Sequence, residues 1–134
     1  MQDFTLDPSM LTMGGVFYPT GYVFVMFPSE QDARATGEAL EREKLSEKPV
    51  MLVPPQVVLE QVVRTVGSAD IPLPSPGTEA AVVRQYAALA GQGHWALMVH
   101  APDGDATEAV MRVVRRAPFS FAEKYRKLVI EDLA

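Results

Sequence analysis

Cysteine is absent from the 134 residues, so disulfides, thiolate nucleophiles and cysteine metal sites are excluded, and the chain fits a reducing compartment. Long apolar runs are missing as well: no uninterrupted stretch approaches the ~20 residues that a membrane helix needs. The first residues, Met1-Gln2-Asp3-Phe4, hold no positive region before an apolar core and do not read as a signal peptide. Positive charge is in short supply, with 12 Lys and Arg against 17 Asp and Glu and a net charge of −5. That balance argues against a surface that attracts nucleic acid or anionic lipid everywhere, so any such binding has to be local. A cytoplasmic protein without a membrane span is expected. What the chain does have is apolar content, 48%, enough for one domain with a sizeable core.

Residues 1–20 mix Asp7-Pro8, Gly14-Gly15 and Pro19 with scattered apolar side chains and read as an N-terminal arm, leaving 21–134 as a single domain. Tyr22 to Phe27 is a run of aromatic and branched residues stopped by Pro28, a short buried strand. Ser29 with Glu30 and Asp32 then opens a helix whose narrow face is Ala33, Gly37 and Leu40. Gly37 lets that helix lie close on a sheet. Pro49 precedes a second strand, Val50 to Val53, and Val58, Leu59, Val62, Val63 and Val66 recur at helical spacing over 56–66. Three prolines within 71–77 mark an extended connection. Thr78 and Glu79 start another helix, with Val82, Val83, Tyr86 and Leu89 on its apolar face and Gly91 and Gly93 at its end.

The last third repeats the first. Gly93-His94-Trp95-Ala96-Leu97-Met98-Val99 parallels Gly21 to Phe27, and Pro102, Asp103 and Asp105 again break the strand and cap a helix, whose buried face is Ala106, Ala109, Val110, Val113 and Val114. Ser120 to Glu123 has capping-box spacing and predicts one helical turn, feeding a final strand at Leu128-Val129-Ile130. Two strand-helix-strand halves of this kind are best satisfied by an α+β ferredoxin-like plait: a four-stranded antiparallel sheet with helices on one face, plus an inserted helix pair. In plan the chain resembles uncharacterised bacterial ferredoxin-like proteins. That architecture hosts many functions and selects none.

Thr20-Gly21-Tyr22-Val23-Phe24-Val25-Met26-Phe27 resembles the aromatic octamer of RNA recognition motif domains, matching it at Gly21, Tyr22, Phe24, Val25 and Phe27. The likeness continues into the helix opened by Ser29. Thr20 stands where that family has a basic residue and Val23 where it has a small one. The octamer also comes early, because the family places it on a third strand. The resemblance implies that Tyr22, Phe24 and Phe27 stack bases. Alternation puts Tyr22, Phe24 and Met26 on one sheet face and Val23, Val25 and Phe27 on the other. With helices over the second set, the first would lie on an open face beside His94, Ala96, Met98 and His100. Such a face serves as a stacking platform or as the seam of a homodimer.

Half of the basic residues, Arg112, Arg115, Arg116, Lys124, Arg126 and Lys127, fall within sixteen positions against one acid, Glu123, with Phe119, Phe121 and Tyr125 interleaved. Arg115, Arg116, Lys124, Arg126 and Lys127 are the expected phosphate contacts, since charge sets affinity for single strands while stacking adds to it. A solvated rim neutralised by acids elsewhere explains the same residues. His94 and His100 lie about 20 Å apart along one strand and cannot share a metal ion. Asp103, Asp105 and Thr107 imitate the start of a calcium loop, but Glu108 occupies the glycine position, so helix capping explains them. No phosphate loop, dinucleotide fingerprint or nucleophile elbow is present. No metal, cofactor or catalytic residue is therefore expected. The expected function is a non-enzymatic ferredoxin-like module binding RNA or another single-stranded nucleic acid. The alternative is a homodimeric small-molecule-binding or stress-linked regulatory protein. An enzyme using His100 with Asp103 or Asp105 would need both in one cleft.

Overall fold

The computed structural model describes residues 1–12, 15–67, 78–126 and 130–133, with the backbone alone at 66, 67 and 78–80. In chain order the strands are β1 (Gln2–Asp3), β2 (Tyr22–Phe27), β3 (Met51–Val53), β4 (Trp95–His100), β5 (Phe121–Tyr125) and β6 (Ile130–Asp132). The helices are α1 (Glu30–Arg42), α2 (55–67), α3 (Thr78–Gly91) and α4 (Gly104–Val114). In α2 the ends Pro55–Val57 and Arg64–Gly67 are α-helical, while Val58–Val63 winds in the wider π form.

The fold is α+β with a mixed, open sheet of six strands in the order β1-β3-β4-β2-β5-β6. Neighbours are antiparallel except β1, which lies parallel to β3. The sheet thus has six strands where four were expected: β1 is added at one edge, and β5 stands between β2 and the edge strand β6. Gln2 and Phe4 of the arm donate to Val50 and Leu52 at one edge, and Ile130 pairs with Tyr125 at the other.

The helical turn expected at Ser120 to Glu123 is instead part of β5. The Ser120 amide donates to Met26 O, and Phe121, Ala122, Glu123 and Lys124 pair with Met26, Val25, Phe24 and Val23. Completing the central ladder satisfies more backbone than one isolated turn, and the Phe and Tyr at its ends suit a pleated surface. Of the expected final strand, Ile130 lies in β6, Ile130–Asp132. Leu128 and Val129 lie outside the described residues.

Helix α1 begins where Ser29 Oγ accepts from Asp32 N at 3.1 Å. It packs so tightly that a Cβ on Gly37 would meet the Met1 side chain and stand 3.4 Å from Leu97 of β4. Helix α4 begins where Asp103 Oδ1 accepts from Ala106 N at 2.8 Å. These two helices cover the face carrying Val23, Val25, Phe27, Leu52, Leu97 and Val99.

The other face was expected to be open. It is closed by α2 and α3, whose Val58, Val62, Val82, Val83, Tyr86 and Leu89 form one buried cluster with Phe24, Met26, Met51, Val53, Ala96 and Met98. Phe4, Met10 and Phe17 of the arm complete it. The inserted pair is therefore a second helical layer. Apolar residues on both sheet faces require a cover on each, and the inserted helices supply the one over Phe24 and Met26.

Candidate functional site

The rings expected to stack bases are inside. Phe24 and Phe27 are both 0% exposed, and Phe24 already stacks on Tyr86 with centroids 4.2 Å apart. Neither offers a face to a base. Tyr22 is half-buried, edge-on to His100 at 5.2 Å. The expected basic patch is also divided. Arg116 pairs with Glu43 at 2.8 Å, Arg115 with Glu108 at 3.2 Å and Arg126 with Glu131 at 3.0 Å. Lys124 is buried, and Lys127 lies outside the described residues. Acids thus meet three of the expected phosphate contacts, Glu43 from a distant part of the chain, and Tyr125, one of the interleaved aromatics, is buried in the core.

Two charged residues of β5 behave unlike the rest. Glu123 and Lys124 are 4% and 3% exposed, yet strand alternation sends them to opposite faces and prevents them from neutralising each other. Glu123 stands between Phe24 and Asp132 in the ladder. Its carboxyl is pushed up to about 7, first by burial and then by the Asp132 charge. Lys124 stands beside Val23 and reaches the junction of β4 with α4. There Nζ donates to Ala101 O and, at 3.0 Å, to Thr107 Oγ1. Thr107 Oγ1 in turn donates to Asp103 O at 2.8 Å. Burial, then the Arg126 charge, holds the Lys124 ammonium below its ordinary pKa.

The same junction is tied to the start of β2. Gly21 N donates to Tyr125 O at 2.8 Å and Gly21 O accepts from Ala101 N at 2.9 Å. This strap needs φ of +86° at Gly21, which an L side chain rarely adopts. Between these segments opens a cleft of about 260 Å³ whose wall includes Thr20, Gly21, Asp103, Gly104, Lys124 and Arg126. Asp103 is its one carboxylate, committed to capping α4.

His100 lies next to the strap, 3.8 Å from where a Gly21 Cβ would stand. Its Nδ1 is buried with no hydrogen-bond partner. Burial, followed by the charges of Lys48 and Lys124, lowers its pKa. No hydrogen bond joins it to Asp103 or Asp105. His94 instead meets Ser120 Oγ through Nδ1 at 2.8 Å on the surface.

Compared with known proteins, the chain matches no family model, no curated protein and no solved structure. Its own geometry therefore carries the functional reading. Among the described residues no group of three or more His, Asp or Glu can hold a metal ion, and no helix is long and apolar enough to cross a membrane. Large exposed apolar side chains among them are Met1 and Leu59, too scattered to form a patch.

Sequence reasoning selected Lys124 for the wrong environment, a solvated rim, and passed over Glu123 and Thr107 as site residues. One signal was available. In Phe121-Ala122-Glu123-Lys124-Tyr125 two adjacent charges interrupt an otherwise apolar strand, a pattern that puts a charge on each face.

Proposed function

We propose that the chain is a non-enzymatic ferredoxin-like module that binds a small ligand in the cleft beside Lys124. Support for the plait comes from the four central strands, β3-β4-β2-β5, whose order and antiparallel pairing follow that plan. The insertion between β3 and β4 closes the face that such modules often leave free. With that face filled, recognition moves to the strand ends. The observation that carries the reading is Lys124, a buried cation with no carboxylate of the described residues within ion-pair distance, on the wall of an open cleft. Burying a charge without a counter-charge is costly, and perturbed groups in clefts concentrate at functional sites.

A fragment screen followed by amide chemical shifts tests this. Binders should move Thr20, Gly21, Gly104 and Lys124 together. Salt-sensitive binding of a fluorescent single-stranded RNA, lost on reversing Arg115 and Arg116, would replace the reading with a nucleic-acid one.

A further inference from the structure

The geometry points to a ligand class for this cleft: a compact anionic group, carboxylate or phosphate, held by Lys124 with Arg126 at the rim, an inference that rests on the small-ligand reading above. Donor arithmetic comes first. An ammonium group carries three donors, and the protein supplies two acceptors, Ala101 O and Thr107 Oγ1. Both are neutral. The third N–H has no acceptor among the described residues, and the carboxylates whose charges reach the ammonium, Asp103 and Glu131, form no ion pair with it. The position of Nζ is fixed by those two bonds, because Ala101 and Thr107 bracket the Pro102 to Gly104 segment that lines the cleft.

A second set of donors begins at Gly104 on the cleft wall. Asp103 takes the amides of Ala106 and Thr107 through its side chain and carbonyl. This leaves the amides of Gly104 and Asp105, first in α4, without a hydrogen-bond partner among the described residues. Oriented helix amides favour anions, but here they only reinforce a buried cation already in place. Arg126 adds a planar donor group whose present partner, Glu131, is an exposed neighbour that a bound anion can displace or share. The cleft, at about 260 Å³, admits a small acid or phosphate ester and not a polymer. Asp103 limits the ligand further. Its carboxylate repels an extended polyanion more than a single anionic head.

The test is titration of the intact protein with inorganic phosphate and, separately, acetate, followed by amide shifts and by the Lys124 side-chain carbon resonance. Saturable movement confined to Thr20, Gly21, Gly104 and Asp105 is expected. The Lys124 resonance should show a rise in its pKa when the anion binds, because a counter-charge favours the ammonium form. Arg126→Gln, at an exposed position, should weaken binding about tenfold. Lys124→Met should abolish it, and where that variant does not fold, Arg126→Gln and the wild-type resonances decide. Tighter binding of one anion than the other assigns the head group.

Shifts spread over exposed basic residues, or a Lys124 that is neutral at pH 7 and unmoved by either anion, would overturn the inference. A neutral fragment set run in parallel separates the two failures. If uncharged fragments move the cleft amides while both anions do not, the anion class falls and the ligand-binding reading stands. If nothing moves them, both fall.

Discussion

Beneath α1 and α4 the sheet is packed with aliphatic side chains, Val23, Val25, Leu97 and Val99 against Leu40, Val110 and Val114. Beneath α2, α3 and the arm it is packed with rings and thioethers, Phe4, Phe17, Phe24, Tyr86 and Tyr125 among Met26, Met51 and Met98. The rings meet edge-on or stacked, with Phe17 5.8 Å from both Phe24 and Tyr125 and Phe24 4.2 Å from Tyr86. The aliphatic face is covered by two capped helices of regular amphipathic pattern. The aromatic face is covered by pieces from distant parts of the chain, and large flat side chains with soft methionines between them fill the irregular gaps such an assembly leaves. Each face also takes in one charge from β5. The aliphatic face receives Lys124, bonded to Ala101 and Thr107, and the aromatic face receives Glu123, opposite Phe24 in the ladder.

The largest test of this contrast uses two phenylalanines of one strand. Phe24→Ala should cost about 3–5 kcal/mol. Phe24→Leu should cost about 1 kcal/mol more than Phe27→Leu, since Phe24 loses ring contacts as well as volume. Urea unfolding of the three variants measures both differences. Equal costs for the two leucine variants would mean that ring geometry adds nothing to the aromatic face.

Next in size is Glu123. Its folded carboxyl keeps a proton to about pH 7, whereas an ordinary glutamate releases it near 4.5. Between those values the folded state binds more protons than the unfolded one, so stability falls as pH rises through the window. Glu123→Gln should match the wild type near pH 4 and exceed it at pH 8. At about 1.4 kcal/mol for each pH unit of that window the gain approaches about 3 kcal/mol. Lys124 works in the opposite sense. The unfolded chain binds more protons between its lowered folded value and 10.5, so its contribution rises with pH there. Stability is therefore least where both charges are present and buried. A flat pH profile for the difference between wild type and Glu123→Gln would break this account.

The smallest effect concerns the hydroxyls of Tyr86 and Tyr125, 2.7 Å apart inside the aromatic face. Burial drives the Tyr86 pKa well up, so that hydroxyl stays protonated. Tyr86→Phe should cost about 1–2 kcal/mol by removing the partner of a buried group. The double Tyr86→Phe, Tyr125→Phe variant should cost less than the sum of the singles. Additive costs would mean that the pair is not coupled.

The sequence legibility follows the same division. On the aliphatic side the Ser29 and Asp103 caps, the helix faces and the matching parity of β2 and β4 were all readable, because local propensity and pattern agree there. Registers such as Phe24 with Met98 and Met26 with Ala96 follow that parity. On the aromatic side, apolar spacing marked both inserted helices but said nothing of where they pack. The arm looked irregular because β1 is two residues long and depends on β3 for its pairing. At the site, Lys124 was legible as a cation but not as a buried one. Its burial depends on the ladder with Val23 and on the β4–α4 junction, contacts that join segments far apart in the chain.

The position of β2 between β4 and β5 has a consequence for how the protein is made. Tyr22–Phe27 leaves the ribosome well before its two partners, Trp95–His100 and Phe121–Tyr125. At ~5–20 residues per second, six apolar side chains wait several seconds for the first partner and longer for the second. The pairing is almost wholly long-range, which slows folding. A nascent chain stalled before Phe121 carries its most apolar strand with one edge unpaired, and this is the species on which a chaperone would act.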